Sequence, residues 1–146
     1  MVRNQIYTKF DDVEVELGRL RNGDFHLISR HYIQPDATFH PIEGADGVYV
    51  KNVLATDIEN SYKVETFAQY AGHKWQVDRK DGDKLRLSIG YNVDLPDVKM
   101  VDRGWYETWV EKKKIEKLWE ERSDSGYNFP YPEGLPRYCE LDINKL

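Results

Sequence analysis

The sequence predicts a mainly β chain built from two copies of one small unit, followed by an extended tail. Three observations predict it. Apolar and polar residues alternate in short runs. Two long stretches of the chain align with each other, which calls for a repeat reading first. The last part of the chain interleaves prolines with aromatic rings.

The first copy covers residues 1–64. Val13, Val15 and Leu17 alternate with Glu14 and Glu16, the period of a half-buried strand. Asn22-Gly23 supplies the positive-φ positions of a tight hairpin. Phe25 and Leu27 resume the alternation on the return. A connector with Pro35-Asp36 follows, then Val48, Val50 and Val53, a short turn, and a last strand from Tyr62 to Thr66.

The second copy covers residues 65–123. Tyr7 aligns with Phe67, Phe10 with Tyr70, Val15 with Trp75 and Leu17 with Val77. Asn22-Gly23-Asp24 is answered by Asp81-Gly82-Asp83, and Phe25 and Leu27 by Leu85 and Leu87. Further on, Gly47, Tyr49, Val53, Ile58 and Glu59 meet Gly104, Tyr106, Val110, Ile115 and Glu116 without a gap. These five identities exceed what average composition gives over so short a stretch. One segment pulls the other way. Ile115, Leu118 and Trp119 share a helical face within a run of good helix formers. The duplication overrides that preference and predicts only a short helical turn near 112–118, then a strand.

The tail, residues 124–146, carries Pro130, Pro132 and Pro136 among Tyr127, Phe129, Tyr131 and Tyr138. Proline fixes φ and removes a donor, so an extended strip is expected. It is expected to pack on the body, with a partner-docking strip as the alternative.

Five short strands with one tight hairpin and a helical turn before the last strand resemble a small SH3-like barrel, here twice in tandem. The resemblance implies closure of each copy, which would hide its sheet edges.

A single cysteine, Cys139, excludes an internal disulfide framework and fits a reducing, cytosolic setting. It reads as a buried structural thiol. The net charge of −5 is uneven. Residues 1–66 hold 7 basic and 11 acidic side chains, residues 67–123 hold 12 and 11, and the tail holds 2 and 4. The acidic first half argues against a phosphate-tracking surface there and suits a basic protein partner.

No catalytic residue, metal site or cofactor is predicted. His26, His31, His40 and His73 show no ligand spacing, and phosphate-loop and nucleophile-elbow motifs are missing. Glu14 and Glu16 alternate with valines, and a solvated strand face accounts for them without catalysis. The aromatic set Tyr7, Phe10, Phe67, Tyr70, Trp105 and Tyr106 reads as core, whereas Trp109 reads as surface-exposed.

The candidate partner-binding residues are therefore Asp11, Asp12, Glu14, Glu16 and Asp24, with Trp109 as an exposed aromatic. Small size, acidity, one cysteine, aromatic richness and the lack of catalytic motifs resemble the immunity proteins of bacterial polymorphic toxin systems. That resemblance implies a non-enzymatic, cytosolic protein that blocks a cognate, basic toxin domain. The alternative is a nucleic-acid-binding or regulatory tandem module using Arg79, Lys80, Lys84 and Arg86 with the run Lys112 to Lys114. A small enzyme with a site at the junction of the copies is the third reading.

Overall fold

The computed structural model describes residues 1–146 and is mainly β, with strands joined antiparallel. Two compact units make up the chain. The first holds Gln5–Lys63 and Ser123–Leu135; the second holds Met1–Asn4, Val64–Arg122 and Pro136–Leu146.

The element order of the first unit is β1 (Ile6–Phe10), β2 (Val13–Arg19), β3 (Phe25–Ser29), β4 (His40–Pro41), β5 (Tyr49–Val53) and a 3₁₀ turn (Ala55–Asp57). Next comes β6 (Tyr62–Tyr70), which passes from the first unit into the second. The second unit continues with β7 (His73–Asp81), β8 (Lys84–Ile89), β9 (Lys99–Asp102), β10 (Trp105–Glu111), a 3₁₀ turn (Lys112–Lys114) and β11 (Lys117–Ser123). The two runs β1–β6 and β6–β11 thus present the same elements in the same order. In each, the first strand pairs the last: β1 with β6, and β6 with β11. Helix formation from 111 to 122 does not occur, because Leu118 and Trp119 are buried by strand geometry in β11.

Equivalent positions fill the two cores. Val15, Leu17, Phe25, Leu27 and Val53 are buried in the first unit. Trp75, Val77, Leu85, Leu87 and Val110 are buried in the second. The hairpins repeat as well. Asp11 and Asp12 turn β1 into β2 with φ of 49° and 62°; Ala71 and Gly72 turn β6 into β7 with φ of 50° and 77°. Such turns need positive φ at both central residues. Asp12 thus holds without glycine's freedom what Gly72 holds with it.

The hydrogen-bonded order is β4-β5-β3-β2-β1-β6-β7-β8-β10-β9. This path is open, so the ladder closure expected from the sequence is not found. Its ends are blunted instead. β4 contains Pro41, which has no amide donor, and β9 meets β10 with a register shift beside Trp105.

The tail is extended but divided. In the first unit the Ser61 amide donates to the Pro130 carbonyl at 3.1 Å. There Tyr127 and Phe129 pack edge-on against Phe25, and Tyr131 against Tyr62. In the second unit β12 (Tyr138–Glu140) pairs β11, and Tyr138 lies against Trp119. Each half of the tail therefore runs beside the last strand of its own unit.

Three expectations are corrected. Val13 is exposed, because it begins β2 next to the turn. Trp105 is exposed rather than core, since it leaves the Gly104 turn at the start of β10. Cys139 is only partly buried, because β12 is a short outer strand.

Candidate functional site

The first unit carries an acidic concavity at the β1–β2 turn. Adjoining cavities of 450 and 290 Å³ are lined by Phe10, Asp11, Asp12, Lys51, Asp57 and Glu59 among others. The local fold explains the convergence. Asn60 bridges to β1: its side-chain carbonyl accepts from the Lys9 amide at 2.9 Å, and its amide donates to the Lys9 carbonyl at 3.3 Å. The Thr8 hydroxyl donates to the Asn60 carbonyl at 2.7 Å. These bonds hold Glu59 beside the turn that bears Asp11 and Asp12. Asp57 ends the 3₁₀ turn and accepts the Leu54 amide at 2.9 Å. All four carboxylate residues are exposed. The floor is apolar, with Phe10 and Val53, and the Lys51 ammonium sits 4.9 Å from the Phe10 ring centre. From the sequence, Asp57 and Glu59 contribute only to the acidic charge of the first half.

Glu14 and Glu16 are engaged internally. The Tyr62 hydroxyl donates to the Glu14 carboxylate, and the Arg30 guanidinium pairs with Glu16. Their face of the sheet is not open to water, because Tyr7 and Tyr62 stack there, both buried. Asp24 lies at the opposite end of β2, roughly 20 Å from Asp12 at ~3.3 Å per strand residue. Its backbone and carboxylate are both bonded to the Asn22 side chain.

Trp109 is exposed on β10, between buried Thr108 and Val110. The Arg79 guanidinium lies 5.3 Å from its ring centre.

No group of three or more His, Cys, Asp or Glu side chains is placed to hold a metal ion. His73 shares a 2.9 Å hydrogen bond with the Tyr91 hydroxyl, and His26 fills the space above Gly18. No helix is long and apolar enough to cross a membrane.

A polar cluster in the second unit was not legible beforehand. Arg86 lies between Asp78, at 3.6 Å, and Glu107, at 3.5 Å, and the Ser88 hydroxyl donates to Asp78 at 3.0 Å. Burial pushes the Asp78 carboxyl above its ordinary range; the Ser88 and Arg86 contacts oppose the shift without cancelling it. Just above the unfolded carboxyl value, the folded state therefore holds more protons. Stability falls as pH rises through that window. Asp78→Asn is expected to flatten that part of the pH profile and to raise the urea midpoint at pH 7. A lowered midpoint would mean that pairing with Arg86 outweighs desolvation.

A family described as "Uncharacterised conserved protein UCP033725" matches residues 2–125. No curated protein and no solved structure matches the chain.

Proposed function

The chain belongs to that uncharacterised conserved family, and from this premise we propose a non-enzymatic binding protein that captures a basic protein partner. The reading is of the kind that immunity proteins exemplify: a cytosolic protein occludes a cognate toxin domain by charge and bulk. The observation that carries it is the acidic concavity of the first unit, where Asp11, Asp12, Asp57 and Glu59 surround an apolar floor. A lysine or arginine of the partner lays its aliphatic stem over Phe10 and Val53 and presents its charge to the carboxylates. Lys51 is the one cation lining the cavities besides Lys9, so the local field is negative. Such a field speeds the encounter more than it deepens the final affinity.

Each unit serves, in this proposal, as an SH3-like module. The repeated strand order and the 3₁₀ turn before each last strand support that reading. Glu14 and Glu16 act as internal supports of the first module, and the binding role moves to Asp57 and Glu59.

The test starts with capture of the partner by the tagged chain from its native host. Asp11→Lys, Asp12→Lys and Asp57→Lys are then combined. Association is expected to slow by about ten- to a hundredfold, with a flatter salt dependence. Unchanged kinetics would remove the acidic site from the mechanism. Capture of RNA with a steep salt dependence would favour the nucleic-acid reading instead.

A further inference from the structure

We infer that the basic partner enters the acidic concavity as an extended segment, adding a strand along the open end of β5, with Asn52 supplying the main-chain hydrogen bonds. This rests on the reading of the first unit given above and names the form in which that site takes its ligand.

Strand pairing leaves the opening. β5 is laddered to β3 along its whole length, from Tyr49 to Val53. On its other side β4 covers only Tyr49 and Val50. Antiparallel pairing turns the main-chain groups of successive residues to opposite sides. The Ile42 amide donates to the Val48 carbonyl at 3.1 Å, so Val48, Val50 and then Asn52 turn theirs away from β3. Val50 meets His40 on that side, but no strand pairs Asn52 there. Thr38 would face it if β4 ran on. The chain has turned away by then, with the Phe39 amide donating to the Asp36 carbonyl at 3.3 Å. Asn52 is exposed. Beyond it, Leu54 gives its amide to the Asp57 carboxylate at 2.9 Å, so an added strand centres on Asn52.

Charge selects the occupant. The 450 Å³ cavity runs along this open end, where Asn52 and Val53 line it with Phe10, Asp11, Asp57 and Glu59. Over both adjoining cavities Asp11, Asp12, Asp57 and Glu59 stand against Lys9 and Lys51. None of the four carboxylates is held in an ion pair. Main-chain bonds supply affinity in such strand addition, and alternate side chains supply specificity. The neighbours of the residue paired with Asn52 share the face of Lys51 and Val53. In an antiparallel pairing one lies across from Val53, beside the 3₁₀ turn that holds Asp57, and is basic. The other lies across from Lys51 and is not.

The second unit shows why backbone alone does not choose. β9 pairs β10 only as far as Glu107, and Trp109 turns its main chain outward in the place of Asn52. Its concavity sets Lys84 and Lys114 against Asp97 and Glu111, so charge selects no ligand there.

The experiment uses the ¹⁵N-labelled full chain and its main-chain amide signals. The probe is the blocked peptide acetyl-Lys-Thr-Lys-Val-Thr-amide, whose valine pairs with Asn52. The Asn52 signal is expected to move saturably, with a Kd on the order of 0.1–1 mM. Its exchange with solvent should slow about tenfold at saturation. Methylating the valine nitrogen removes the donor aimed at Asn52 and should weaken binding about tenfold. Methylating the nitrogen of the preceding lysine, which points away, should leave the Kd within about twofold. Asn52→Pro, which an outward-facing edge position tolerates, should abolish the response. If that variant does not fold, the two methylated peptides decide. An unmoved Asn52 signal, or equal binding of both methylated peptides, would overturn strand addition. Loss of that same binding in Asp11→Lys with Asp57→Lys would then leave the acidic concavity standing without it. Binding indifferent to those two substitutions, or an equal response to a peptide with glutamates for lysines, would remove the concavity and the proposal together.

Discussion

Replacing Trp75 by alanine is expected to lower stability by about 3–5 kcal/mol, the range for deleting a large buried ring. Trp75 is fully buried near the start of β7 and is the largest side chain in the core of the second unit. Its indole N–H donates to the Tyr70 carbonyl at 2.9 Å, and its ring packs against that of Tyr70. The substitution therefore opens a void and strands a carbonyl. Neighbours cannot close the void, because Val77, Leu85 and Leu87 are held by the ladders of β7 with β8 and β8 with β10. Trp75→Phe separates the two contributions: it keeps most of the volume and loses the hydrogen bond, at about 1–2 kcal/mol. Urea denaturation followed by amide spectra gives both values. A loss under about 1 kcal/mol for alanine would mean that the core refills by rearrangement. The first unit reaches the same end by other means. Its equivalent residue, Val15, is small, and Tyr127 and Phe129 from the tail pack against Phe25 in that core.

That difference shows what the sequence could and could not disclose. Alternation marked Val15, Leu17, Phe25 and Leu27 as inward-facing, and their aligned partners with them, because strand periodicity is a local property. A short helical turn in place of a full helix near 112–118 was also legible from the duplication; the turn is 3₁₀ and covers only Lys112–Lys114. The destinations of the tail were not. Proline and tyrosine announce an extended chain, but not which strand edge it joins. Glu14 and Glu16 misled for a related reason. Alternation reports the face opposite the valines, and equates it with water only where nothing covers it. Here Tyr62 and Arg30 reach that face from distant positions. The acidic concavity lay between these cases. Its residues were on the page, but only the Asn60 bridge to β1 brings Glu59 to Asp11 and Asp12.

Glu120→Ala is expected to cost about 3–5 kcal/mol, because it removes the buried anion that two guanidinium groups share. Glu120 is a buried charge on β11. Arg3 grips it with two bonds, Nε at 2.8 Å and Nη2 at 3.0 Å, and Arg122 Nη2 adds a third at 3.1 Å. Arg122 also donates to the Pro136 carbonyl at 3.1 Å, while its Nε is buried without a hydrogen-bond partner. The cluster ties together three stretches of the second unit that are far apart in sequence. Neighbouring bonds reinforce it: the Arg3 amide donates to the Thr66 hydroxyl at 3.1 Å, and the Asn4 side chain to the Val77 carbonyl at 2.7 Å. Without Glu120, two positive groups face each other in a site with little water. Arg3→Ala should also destabilise, since it leaves the buried carboxylate with Arg122 alone. The double variant should then cost less than the two single losses added together, with a coupling of about 1–3 kcal/mol. Additive losses would show that Arg3 and Glu120 contribute to stability independently of each other. Strong coupling would show that the first residues of the chain close the second unit through one buried carboxylate.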